Sequence, residues 1–135
     1  MDSVVSMEEL EKTVREAVAH ALAVEPEEVR LDQYLNHDLG AESLDFLDIV
    51  FSLEQAFSIE ITRGEMERAA RGDMTDDEFA PNGQISEAGL ARLRELMPES
   101  VDRIGPGLRP VQILELFKVK TFANIVAGKL EGQEM

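Results

Sequence analysis

At 135 residues and 44% hydrophobic content, the chain is long enough for one domain with a modest buried core. Its 28 acidic against 13 basic side chains leave a formal charge of −15, which repels phosphate backbones, argues against nucleic acid as a partner and attracts surfaces rich in Lys and Arg. The absence of cysteine removes disulfides, thiolate metal sites and cysteine nucleophiles.

The opening Met1-Asp2-Ser3-Val4-Val5-Ser6 has neither the basic nor the apolar part of a secretory signal. No apolar run approaches the roughly 18 residues needed to span a bilayer. A soluble, cytoplasmic protein without stable membrane insertion is expected. Ser6 and Glu9 stand at capping-box spacing, and Leu10, Val14, Ala17, Val18, Ala21 and Leu22 then recur at helical intervals. Glu25-Pro26 ends that helix, because the residue before proline is pushed out of helical geometry. Val29, Leu31 and Leu35 are apolar plugs in the polar connection that follows.

A second helix is predicted from Glu42 or Ser43 to about Phe57, with Gly40 permitting a tight entry. Phe46, Val50, Leu53 and Phe57 form one face, broadened by Leu47 and Ile49. Asp45, Asp48 and Gln55 form another, with Leu44 and Phe51 among them. Glu42 and Asp45 complement the positive end of the helix dipole. Thr62 and Glu65 are spaced as a capping box for a short helix reaching Ala69 or Ala70. Gly72 to Gln84 reads as loop, with Pro81 and the turn pair Asn82-Gly83. Ser86 opens a further amphipathic helix carrying Leu90, Leu93 and Met97, stopped by Pro98. Beyond Gly105-Pro106-Gly107, Pro110 starts a short helix with Val111, Ile113, Leu114 and Phe117. Thr121 then caps a last helix bearing Phe122, Ile125, Val126 and Leu130. No internal repeat or strand pattern stands out.

Ser43 is the residue with the most distinctive setting. A serine flanked by carboxylates and without an evident base is a poor catalytic nucleophile, but a suitable acceptor for a group attached by another enzyme. It stands at a helix start, followed by Asp45, Asp48 and Glu54 with Leu44 and Phe51 between them. Such a surface can be found by basic partners through electrostatic steering and then held by short-lived apolar contacts. The bland alternatives are an ordinary N-cap serine and an acidic helix face that is merely solvated. Phe51 is equally compatible with a core position.

The string Asp38-Leu39-Gly40-Ala41-Glu42-Ser43-Leu44-Asp45 resembles the modification site of the acyl carrier protein family. The likeness covers Ser6 to about Ile61 and resumes from Phe117 to Leu130, where Val119-Lys120-Thr121-Phe122-Ala123-Asn124-Ile125-Val126 is similar to the family's last helix and its entry. Glu42 departs from the family's usual aspartate before the serine. The resemblance implies an all-α, antiparallel four-helix bundle with additional short helices. It implies a carrier, not an enzyme, holding acyl chains as thioesters on 4′-phosphopantetheine attached to Ser43. Its expected partners are a phosphopantetheinyl transferase, then ketoacyl synthases, acyltransferases and related enzymes with basic surfaces, met as a monomer. Glu42, Leu44, Asp45, Asp48, Phe51 and Glu54 would dock these partners. Phe46, Val50, Leu53 and Phe57 would pack the core and line the acyl cavity.

Residues 1–135 are then one acyl-carrier-like domain, with 62–116 an extended, insertion-bearing region, since the stretch from Ile61 to Val119 is longer than usual for the family. The sequence Ser-Leu-Asp-Phe-Leu-Asp-Ile-Val-Phe over 43–51, with an enlarged region after it, resembles specialised carriers of very-long-chain hydroxyacyl groups for bacterial lipid A. Fatty-acid or lipid biosynthesis is the implied setting. Amino-acid or polyketide cargo is the alternative within the class, and an acidic helical interaction module without a prosthetic group is the alternative outside it. The acids Asp73, Asp76, Asp77 and Glu78 suggest a calcium loop only superficially. With Gly83 as its turn glycine, the third ligand position would be Ala80 and the closing position Gly89, so no metal is expected. His20 and His37 have no metal or triad partners in the pattern, and Gly105-Pro106-Gly107 lacks the lysine and helix of a phosphate loop.

Overall fold

The structure is a computed structural model that describes residues 6–61 and 65–133. The fold is all-α: helices α1 (Met7–Leu22), α2 (Ser43–Phe57), α3 (Glu65–Arg71), α4 (Asp76–Phe79), α5 (Glu87–Leu96) and α6 (Val119–Gln133), with one short 3₁₀ segment between α1 and α2 and two between α5 and α6. The chain clusters into two compact units, one formed by Met1–Ile61 with Lys118–Met135 and the other by Thr62–Phe117.

In the first unit, α1 packs on both α2 and α6, and α2 touches α6. The Ser6 hydroxyl accepts the Glu9 N–H at 3.1 Å and so starts α1. Leu10, Val14, Ala17, Val18 and Ala19 are its buried residues. Ala21 and Leu22, expected in the stripe, are only half-buried, and Ala19 takes the inner position instead. The helix ends on Ala23 in the left-handed conformation (φ 60°), whose N–H reaches Ala19 O and His20 O. Lys120 Nζ on α6 meets Glu11 Oε2 on α1 at 3.0 Å, and the rings of Phe46 and Phe122 join α2 to α6 at a centroid separation of 6.2 Å.

The segment between α1 and α2 is tied to the entry of α6. Val119 N–H donates to Gln33 O and Lys120 N–H to Leu31 O, forming an isolated antiparallel bridge at Tyr34 and Lys118. Lys118 Nζ lies 4.8 Å above the Tyr34 ring. Thr121 is not the N-cap of α6. It lies inside the first turn, where its hydroxyl accepts the Lys118 N–H at 3.0 Å. Phe122 and Val126 are buried, whereas Ile125 and Leu130 are half-buried.

The second unit has its own apolar centre, including Phe79, Leu90, Leu93, Met97, Ile113 and Leu116. Thr62, expected to form a capping box with Glu65, lies outside the described residues. The acidic stretch expected to be loop contains α4, because Thr75 and Glu78 cap each other: Thr75 Oγ1 accepts the Glu78 N–H and Glu78 Oε1 accepts the Thr75 N–H. That turn buries Phe79. Ser86 caps α5 through the Gly89 N–H, and Pro98 begins a 3₁₀ segment directly after it. In the 3₁₀ helix Pro110–Leu116, residues three apart share a face. Ile113 and Leu116 are therefore buried together while Val111 and Leu114 are exposed. Ser100, completely buried, donates its hydroxyl to Leu116 O at 2.5 Å.

Gly89 is a point of close approach in this unit. An added Cβ would lie 2.6 Å from Ile85 Cγ2 and 2.8 Å from Phe79 Cε1, both on buried side chains. Gly89→Ala gains about 1 kcal/mol of helix propensity, but overpacking a close-packed site costs about 1–3 kcal/mol. A net loss of about 1 kcal/mol is expected, read as faster hydrogen exchange in α5. Unchanged protection there would mean that Phe79 and Ile85 move aside without cost.

Candidate functional site

Ser43 is the first residue of α2, and a hydrogen-bonded loop delivers it. The loop backbone folds on itself: Asp38 and Leu39 N–H both point to Tyr34 O, Gly40 N–H to Asn36 O, and Ala41 N–H to Leu35 O. Gly40 turns the chain at φ 74°, a conformation that glycine adopts without steric cost. Two side chains complete the loop. Asp38 Oδ2 accepts the Tyr34 N–H at 2.8 Å, and Asn36 Nδ2 donates to Ala41 O at 3.1 Å. Leu35 and Ala41 are fully buried, so the base of the loop is anchored in the first unit's core. Val29, named from sequence as a plug, is also buried, while Leu31 is half-buried and Tyr34 supplies a further buried ring.

The N-cap of α2 is Glu42, not Ser43. Its N–H donates to Asp45 Oδ2 at 2.9 Å, so the first turn is closed by a carboxylate. The Ser43 side chain is consequently left exposed, and its hydroxyl makes no hydrogen bond among the described residues. The plain capping explanation for this serine does not hold.

Along α2, Leu44, Leu47, Asp48, Phe51 and Gln55 follow helical spacing and are all exposed. Leu44 is 74% exposed and Phe51 63%, which removes the core reading of Phe51 and sets two large apolar groups on either side of Asp48. Leu47 was expected to broaden the core face. It is exposed because it shares the surface of Leu44 and Phe51, three and four residues away, a spacing already visible in the sequence. Ile49 does belong inside, with Phe46 and Leu53. Val50 and Phe57, expected in the same stripe, are only half-buried, because the tight contact line of the helix runs through 46, 49 and 53.

The two remaining acids of the expected docking set have internal duties. Asp45 closes the helix start, and Glu54 Oε2 accepts the Ile61 N–H at 2.9 Å, fastening the chain that leaves α2. Glu42 and Asp48 are exposed. In the second unit, Asp76 is paired with Arg71 Nη1 at 3.0 Å and Glu78 is used in the cap of α4. Among the described residues, no group of three or more His, Asp or Glu side chains is arranged to hold a metal ion. Nor is any described helix long and apolar enough to cross a membrane.

Residues 12–70 match the phosphopantetheine attachment site family. The chain is 42% identical over 60 residues to an acyl carrier protein of Campylobacter hominis, covering 44% of this chain and 76% of that one. It is 44% identical over 57 residues to an acyl carrier protein of Wolinella succinogenes, covering 42% of this chain and 75% of the relative. Against acyl carrier protein 2 of Pseudomonas aeruginosa the identity is 40% over 62 residues, covering 46% and 78%. No solved structure matches significantly. The matched site is one that carries phosphopantetheine, and the chain belongs to the acyl carrier protein family, whose members are carriers and not enzymes.

Proposed function

We propose that Ser43 is the attachment residue for 4′-phosphopantetheine and that α2 presents the loaded group to enzymes of acyl transfer. The observation that carries this reading is an exposed serine hydroxyl without an internal partner at the first position of α2, inside the matched segment. A phosphoester suits the position. The start of a fifteen-residue helix favours negative charge through its dipole and its backbone N–H groups. The prosthetic group supplies the thiol on which an acyl chain is held as a thioester, and this chain's residues hold the serine and offer the docking surface. Incubation with a phosphopantetheinyl transferase and coenzyme A should raise the intact mass by one phosphopantetheine. An unchanged mass would defeat the reading.

The docking surface is centred on Leu44, Asp48 and Phe51, with Leu47 added and Glu42 beside the serine. Asp45 and Glu54 contribute charge while bonded to the backbone. Its partners are the transferase, ketoacyl synthases and acyltransferases with basic surfaces, met by a monomeric carrier in the cytoplasm. Asp48→Lys should lower kcat/KM for transfer to a partner enzyme by about tenfold at low ionic strength, with the deficit shrinking as salt rises, because an exposed charge acts mainly on encounter. Equal kinetics at low salt would assign Asp48 to solvation alone. Phe46 and Leu53, with Val50 and Phe57 at the margin, are the side chains against which an acyl chain would lie.

Residues 62–116 form an insertion in a carrier domain that otherwise runs through 1–135, and the cargo is a specialised one of the very-long-chain hydroxyacyl type used for lipid A. The extra buried apolar centre and the sequence over 43–51 support this reading. Acyl groups released from protein purified from its host identify the cargo. Only short intermediates of ordinary fatty-acid synthesis would exclude specialisation.

A further inference from the structure

We infer that Asn36 is a positioning residue for Ser43, acting through the Ala41 peptide; the inference rests on Ser43 being the attachment site. Ala41 is held at both ends by consecutive residues: its N–H donates to Leu35 O at 2.8 Å and its carbonyl accepts Asn36 Nδ2 at 3.1 Å. Ala41 is completely buried, so these bonds fix a residue that cannot shift into solvent. The Asn36 carbonyl also accepts the Gly40 N–H at 3.1 Å, which places both polar arms of Asn36 on the last turn before α2. The Ala41 carbonyl belongs to the peptide that leads into Glu42, and its direction sets how the chain enters the helix on which Ser43 is the first residue.

Asn36 is itself exposed, so it adds little to the core. The Asp45 bond to Glu42 N–H closes the helix from the other side. Without the Asn36 donor, the helix still has its cap, but the peptide two residues before Ser43 loses its side-chain anchor. The loop then spends part of its time with Ser43 displaced. A transferase that seats only the ordered form meets a smaller competent fraction, which raises the apparent dissociation constant in inverse proportion. The reaction after seating is unaffected. A residue that merely stabilised the fold would not produce this split.

The test compares wild-type protein with Asn36→Ala and Asn36→Asp in steady-state phosphopantetheinylation, using a phosphopantetheinyl transferase and coenzyme A and following intact mass. Both substitutions remove the donor; ionised aspartate is an acceptor only and faces the Ala41 carbonyl unfavourably. The KM for the carrier should rise by about three- to tenfold in both, as expected for one lost hydrogen bond. The kcat should stay within about twofold and the melting temperature within a few degrees. A wild-type KM in Asn36→Ala would overturn the inference. So would an effect confined to Asn36→Asp, which would report added charge, or a kcat loss at constant KM. If wild-type protein takes no adduct, or Ser43→Ala still takes one, the attachment reading fails instead, and the two failures are distinct.

Discussion

Ser43→Ala should abolish phosphopantetheine attachment while leaving the protein folded. The loss is expected to be complete because, in the proposed attachment, the hydroxyl oxygen forms the phosphoester, and no neighbouring hydroxyl on the first turn of α2 can replace it. Other serines have different settings. Ser6 and Ser86 spend their hydroxyls capping α1 and α5, and Ser100 is buried against Leu116 O. The fold should tolerate the change because the cap of α2 rests on Glu42 and Asp45, not on Ser43. Alanine is also the best helix former. Urea denaturation should therefore show a stability change within about 0.5 kcal/mol, and intact mass should show no adduct. An adduct on the variant would move the attachment to another residue. A large loss of stability would mean that Ser43 has a structural role beyond its visible contacts.

Phe122→Ala should have the opposite profile, a large loss of stability that reaches the site only through the fold. Phe122 is among the largest fully buried side chains, and its ring meets Phe46 where α6 touches α2. Removing a buried phenyl ring costs about 3–5 kcal/mol, from lost transfer energy plus the cavity left behind. Domains of this size are stable by only about 5–15 kcal/mol, so the change consumes a large part of the margin. Urea unfolding monitored on α1, α2 and α6 should show the midpoint shift. Attachment at Ser43 should persist wherever the variant remains folded. A loss below about 1 kcal/mol would show that the α2–α6 contact closes around the gap, contrary to the close packing expected there.

Much of the helical order could be read from local chemistry. The start of α1 and both limits of α5 follow from signals that act within a few residues: Ser6 and Ser86 as caps, and Pro98 as a stop. The differences between expectation and structure have separate physical causes. Apolar residues at helical spacing announce a face, but which side of a broad apolar face turns inward depends on the neighbouring helix. Ile49 turned inward and Leu47 outward, though both flanked the same predicted stripe. In 110–116 a short helix is expected, and the backbone is 3₁₀, so Val111 and Leu114 share the outer face. Phe79 lies inside an acidic stretch, and it is buried because Thr75 and Glu78 cap each other and start a helical turn there.

The helix-rich class, the acidic field and Ser43 at a helix start are legible in the chain alone, because composition, periodicity and capping are local properties. How that start is built emerges in the folded structure. It made Glu42 the cap, used Asp45 and Glu54 to hold backbone N–H groups, left Leu44, Leu47 and Phe51 exposed around Asp48, and set Asn36 against the Ala41 carbonyl. The polar contacts are made between residues only a few positions apart, once the loop and the helix start have folded, whereas which apolar groups are covered depends on packing between helices that are distant in the chain.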